Sequence, residues 1–259
     1  MTAPPDRRVL LLALPLLLLA CRDKYAVPPD LLGGRVEMEV RDGESFLSAD
    51  FWSARSGEEF DFARLPVTAC ILTPSQPTES GFREVGPDIQ VSLGPNKVKL
   101  EVVKDDRGEP SYQPAQEEWR SFFGESYDVE IGKTRWKSRL RLPRPLRLNS
   151  EDWRLSFEQG QPFEISYQPV AADRMLLLLV QGTAGTVCHL GAEGHFRIPA
   201  TVIDAAPPEG TLELVATDQD RVELAGHSVL LEGLVSVTRP YHRVAAVRKP
   251  EKQKRRHGR

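Results

Sequence analysis

Apolar residues recur at every second position in run after run of this sequence. Val36, Met38 and Val40 alternate with Glu37 and Glu39, and Ile89, Val91 and Leu93 alternate with Gln90 and Ser92. Val98, Leu100 and Val102 repeat the pattern around Lys99 and Glu101, as do Tyr127, Val129 and Ile131 around Asp128 and Glu130. A period of two places alternate side chains on opposite faces of a strand, so each run offers one face to a core and one to water. Gly94-Pro95-Asn96, between the second and third runs, marks a hairpin. Further runs lie at 163–167, 186–190, 211–215, 222–224 and 229–237, while 175–180 is apolar at both parities, as in a central strand. Only residues 116–123 read as a helical turn or two. Twenty-one prolines and nineteen glycines supply the turns. Short strands of this kind predict an all-β chain of the β-sandwich class.

The first twenty residues are of a different kind. Arg7 and Arg8 precede an uncharged apolar run, 9–20, interrupted only by Pro15. A helix crossing the hydrocarbon core needs about 20 such residues, so this shorter run reads as an export leader. It ends Leu18-Leu19-Ala20-Cys21, which resembles the lipobox of bacterial lipoproteins, with Leu19 where a smaller residue is more usual. The resemblance implies cleavage before Cys21, diacylglycerol on its thiol and an acyl chain such as palmitate on the new amino group. Arg22 replaces the aspartate that often retains lipoproteins in the inner membrane, so the resemblance favours the outer membrane. Asp6-Arg7-Arg8 also looks a little like a twin-arginine export motif, although the standard route is favoured. Residues 21–34, with Pro28-Pro29 and Gly33-Gly34, read as a tether.

Charge is uneven. The net charge is −3, but residues 248–259 carry seven basic side chains against Glu251 and the leader carries +1, leaving −10 on residues 21–247. An acidic body argues against a nucleic-acid-binding domain. The basic tail, 248–259, reads as a solvated terminus, with anionic lipid or another polyanion as its alternative partner.

From Phe163 to Val215 the chain resembles the immunoglobulin-like modules of secreted bacterial lipoproteins. The resemblance rests on Tyr167-Gln168-Pro169, Ala172-Asp173, Cys188, Gly194, Phe196, Ile198-Pro199-Ala200 and Pro208-Glu209-Gly210. The first half resembles a partner module more loosely, through Cys70, Val85-Gly86-Pro87-Asp88 and the strand at Tyr127. The expected organisation is therefore a leader (1–20), a tether (21–34), a β-sandwich (35–132), a linker (133–150) and an immunoglobulin-like sandwich (151–247), followed by the tail.

Candidates for chemistry are few. Cys70 and Cys188 would meet an oxidising compartment, which permits a disulfide. Location on separate sandwiches would hold them too far apart, and two buried apolar thiols are the alternative. Cys188-His189 with His195 suggests a metal, but adjacent strand residues face opposite ways and no third ligand has suitable spacing. Gly226-His227-Ser228-Val229-Leu230 begins like a nucleophile elbow, yet Leu230 occupies the position of the final glycine. The acid pairs Glu58-Glu59 and Glu117-Glu118 read as solvated faces. Trp52, Trp119, Trp136 and Trp153 are either core residues or stacking surfaces for sugars. The expectation is a non-enzymatic, lipid-anchored envelope protein without cofactor or metal. It would bind or assemble with an envelope protein or glycan through loops. A carbohydrate- or peptidoglycan-binding protein is the first alternative and an envelope hydrolase the second.

Overall fold

The computed structural model describes residue 28 and residues 30–57, 64–72, 78–86, 89–93, 96–115, 123, 126–131, 134–149, 152–181, 184–224 and 226–245. The leader, Cys21 and the basic tail lie outside them. So do Glu58-Glu59, Glu117-Glu118, Trp119 and, Phe123 apart, the expected helical turn at 116–123.

Strands β1 (Gly33–Arg41) and β2 (Glu44–Ser56) form a hairpin in which Arg41 faces Glu44 across Asp42-Gly43. Asp42 and Gly43 have φ of 48° and 91°, as a two-residue type I′ turn demands, and Asp-Gly suits that turn. Val36, Met38 and Val40 are buried, as their alternation predicts, with Val36 opposite Ala49 and Met38 opposite Leu47 of β2. The tether therefore ends earlier than expected, because Gly33 and Gly34 already belong to β1. At Gly34 a side chain would collide with the ring of Phe51, so glycine lets that ring lie against the backbone.

The chain continues through β3 (Cys70–Leu72), β4 (Thr78–Phe82), β5 (Ile89–Leu93), β6 (Asn96–Lys104), β7 (Pro110–Pro114), β8 (Ser126–Ile131) and β9 (Thr134–Arg141). The hairpin read at residues 89–102 is present, with Leu93 opposite Asn96. Next come β10 (Arg147–Leu148), β11 (Leu155–Glu158), β12 (Phe163–Gln168), β13 (Arg174–Gln181), β14 (Ala184–His189) and β15 (His195–Ile198). A helix, α1 (Ala200–Ala205), precedes the long hairpin of β16 (Glu209–Leu224) and β17 (His227–Val244). The fold is all-β, as expected. The helix was not anticipated, because six residues are too few to show a helical period. Pro199, at φ −61°, leads the backbone into it, and Ile203 is its buried residue.

One sheet runs β3-β14-β13-β16-β17-β1-β2-β7-β6-β5-β8-β9, with β4 beside β2 and β11 beside β17. It curls so that β9 lies against β16 and β17, where Ser138 Oγ donates to Asp220 Oδ2 at 2.9 Å. The short sheet β10-β12-β15 supplies Ile165, Tyr167, Phe196 and Ile198 to the core. Strand β13 is interior, as its double-sided apolarity predicts, with Leu177 and Leu179 fully buried.

The β16–β17 hairpin is the spine. Along one edge of β17, residues 228–236 pair in parallel with β1, and residues 241–244 pair in parallel with β11. Two strand pairings thus join the halves read as residues 35–132 and 151–247: β1 with β17, and β3 with β14. The stretch read as a linker, 133–150, contains β9 and β10. Apolar side chains from Leu31 to Tyr241 form one buried cluster. A hairpin longer than either half needs alone can wall both, and shared burial makes that arrangement favourable.

Candidate binding groove

Where β17 changes partners, a groove of about 1000 Å³ opens. Strand β1 stops at Arg41, opposite Ser236, and β11 starts at Leu155, opposite Tyr241. Among the described residues, 237–240 thus have β16 on one edge and no parallel strand on the other. The β1–β2 turn contributes Asp42, Gly43, Glu44 and Ser45 to the lining, the segment before β10 contributes Pro145 and Leu146, and the approach to β11 contributes Trp153. Trp153 is 76% exposed, and Phe123, also in the lining, is 38% exposed.

The backbone at this edge is already engaged. Asp42 N donates to Ser236 O at 3.1 Å, and Thr238 N donates to Asp42 Oδ1 at 3.1 Å. Thr238 O accepts from Arg239 Nη1 at 2.7 Å. Thr238 Oγ1 also donates to Asp42 Oδ2. Pro240 has no N–H to offer. The Asp42 side chain therefore substitutes for the missing strand and turns what would be an open sheet edge into a finished wall.

Behind the groove lies Glu213, opposite Thr238. Burial holds its carboxyl above the usual carboxylate range; a hydrogen bond from Ser236 and the Arg41 guanidinium oppose the rise, while Glu39 and Asp42 add to it. Further along the sheet, burial also raises Glu37, helped by the charge of Glu232 and opposed by Arg35. Arg35 reaches Glu37 and Glu232 only at 3.8 and 3.9 Å, and Glu232 accepts from Gln219 Nε2 at 2.6 Å. Burial raises Asp50 too, against a hydrogen bond from Ser111.

Compared with models of known families, with curated proteins and with solved structures, the chain matches none.

The other residues singled out from sequence fall elsewhere. Cys70 and Cys188 stand directly opposite each other on β3 and β14 and form a disulfide, with Cα atoms 4.0 Å apart. His189 Nδ1 lies 2.6 Å from Leu65 O, and His195 Nδ1 lies 3.3 Å from Glu193 O. Among the described residues no three His, Cys, Asp or Glu side chains converge as metal ligands. Ser228 lies within β17, between Gly33 of β1 and Glu223 of β16, which is extended strand and not a sharp turn. Trp52 is buried, 6% exposed, and Trp136 stands in β9 with its side chain outside the described residues. Among the described residues, Trp153 is the tryptophan that lines the groove. Sequence reasoning passed over Asp42, Arg239 and Phe123; the Asp42-Gly43 turn signal was there to be read, but its placement beside β17 was not.

The raised carboxyls carry a pH signature. The unfolded chain ionises them at ordinary values, so the folded state binds more protons in the window above the usual carboxylate range. Their contribution is fully present below the unfolded pKa and is lost as pH rises through the raised values of Glu37, Asp50 and Glu213. The melting temperature should therefore rise as pH falls from 7.5 toward about 5. Glu37→Gln should raise it at pH 7.5 by about 1–3 °C and flatten the profile. Calorimetry across this range checks both, and a melting temperature that falls steadily from neutrality would contradict them.

Proposed function

We propose that this protein is a lipid-anchored, non-enzymatic binding protein of the bacterial cell envelope, with the outer membrane favoured, whose ligand lies in the groove beside β17. The observation that carries the binding role is Trp153, a large flat side chain left 76% exposed over a groove whose backbone is already hydrogen-bonded. A solvent-facing indole at a concave site is a ready source of binding energy. The anchor rests on Cys21 and the lipobox resemblance. The Cys70–Cys188 disulfide supports an exported location, because such bonds persist in oxidising compartments. Among the described residues no helix is long and apolar enough to cross a membrane, and attachment through acylated Cys21 requires none.

The hydrolase alternative is not favoured, since Ser228 is held in a strand. The carbohydrate alternative gains from Trp153 and gains nothing from buried Trp52. Cys21→Ser tests the anchor: metabolic labelling with a fatty-acid probe should vanish and the protein should move from the membrane to the soluble fraction. Unchanged labelling would overturn the lipid assignment.

A further inference from the structure

We propose that the groove binds a neutral oligosaccharide, an assignment that rests on its being the ligand site. Three observations lead there.

The first is the closed edge of β17. A peptide that adds as a strand is held by free backbone donors and acceptors along a sheet edge. Here Ser236 O, Thr238 N and Thr238 O are engaged by Asp42 and Arg239, and Pro240 lacks a donor. A ligand in this groove must be recognised by side chains.

The second is the division of the walls. Trp153, Phe123 and Pro145 present apolar surface, while Asp42, Glu44 and Arg239 present carboxylates and a guanidinium. A pyranose ring is divided in the same way, with a face of C–H groups and a rim of hydroxyls. Its face suits an indole, and its hydroxyls can donate to carboxylates and accept from a guanidinium. At about 1000 Å³ the groove has room for several rings.

The third is charge. Asp42 and Glu44 in the lining, with Glu39 behind, outnumber Arg239 and Arg41. An acidic glycan would meet net repulsion, which selects a neutral chain.

The mature protein should be applied to an array of neutral tetra- to hexasaccharides containing N-acetylglucosamine and glucose chains, with oligogalacturonates and extended nonapeptides as the other arms. A neutral oligosaccharide should bind and the oligogalacturonates should not. Trp153→Ala should weaken binding by about tenfold or more, as loss of a central aromatic contact does. Trp153→Phe should retain most of it, and Leu72→Ala, at an exposed position on β3, should change nothing. Trp153 is exposed, so its replacement leaves the fold intact, and circular dichroism verifies this. Peptide binding that depends on Trp153, without sugar binding, would overturn the glycan assignment and leave the groove as the ligand site. Sugar binding indifferent to Trp153→Ala, or tighter for oligogalacturonate, would overturn the proposal, as would binding of no probe at all. None of these results bears on the lipid anchor, which Cys21→Ser tests separately.

Discussion

Reducing the disulfide between Cys70 and Cys188 should lower the melting temperature of this protein by roughly 8–20 °C. The bond joins residues 118 apart in sequence, and closing a loop on the order of 100 residues in the unfolded chain contributes about 4–5 kcal/mol by the chain-entropy account. At this chain length each kcal/mol moves the midpoint by about 2–4 °C. The effect should be felt first at β3. That strand is three residues long and ends on exposed Leu72, and its only strand partner among the described residues is β14. Backbone bonds from Thr68 N to His189 O and from His189 N to Ala69 O extend the seam but are too few to hold it once the chain is free. Calorimetry with and without a dithiol reductant measures the difference. Cys70→Ser should melt like the reduced protein and be indifferent to reductant, and a reductant-insensitive wild type would contradict the assignment.

Phe157→Ala should cost about 3–5 kcal/mol, which compares with a typical total stability of about 5–15 kcal/mol. Phe157 is fully buried, stacks on Tyr241 at 4.9 Å between centroids and meets Phe163 edge-on at 4.7 Å. It is also the centre of β11, a four-residue strand whose pairing with residues 241–244 of β17 begins just past the groove. Removing the ring leaves a cavity among aromatic neighbours and weakens the docking of β11. Trp153 lies two residues before that strand, so ligand affinity should fall along with stability. Urea denaturation gives the first effect and the oligosaccharide titration the second. Phe157→Leu should recover more than half of the loss, and full stability in Phe157→Ala would show that β11 is not held by this cluster.

How much of this was legible in the sequence differs from element to element. The alternation at residues 36–40 named a strand and its buried face, and the runs at 89–102, 127–131 and 175–180 each named strands, because a period of two is a local property. The helix after Pro199 left no such trace, being shorter than two turns. The disulfide could be permitted from sequence but not assigned. Its geometry follows from β3 leaving the first half of the chain to pair with β14, which reading each half separately does not suggest. Trp153 looked like three other tryptophans; its exposure, against the burial of Trp52, depends on how the approach to β11 runs past the end of β1.

What the sequence determined by itself was the all-β class and the identity of many core residues, both written in nearest-neighbour patterns and short motifs. Tertiary structure decided which strands are neighbours, and with them the shared β16–β17 spine, the cysteine pair and the groove. The physical reason is that pairing between distant strands is set by collective burial and backbone hydrogen bonding. Neither quantity is stored in any one stretch of chain.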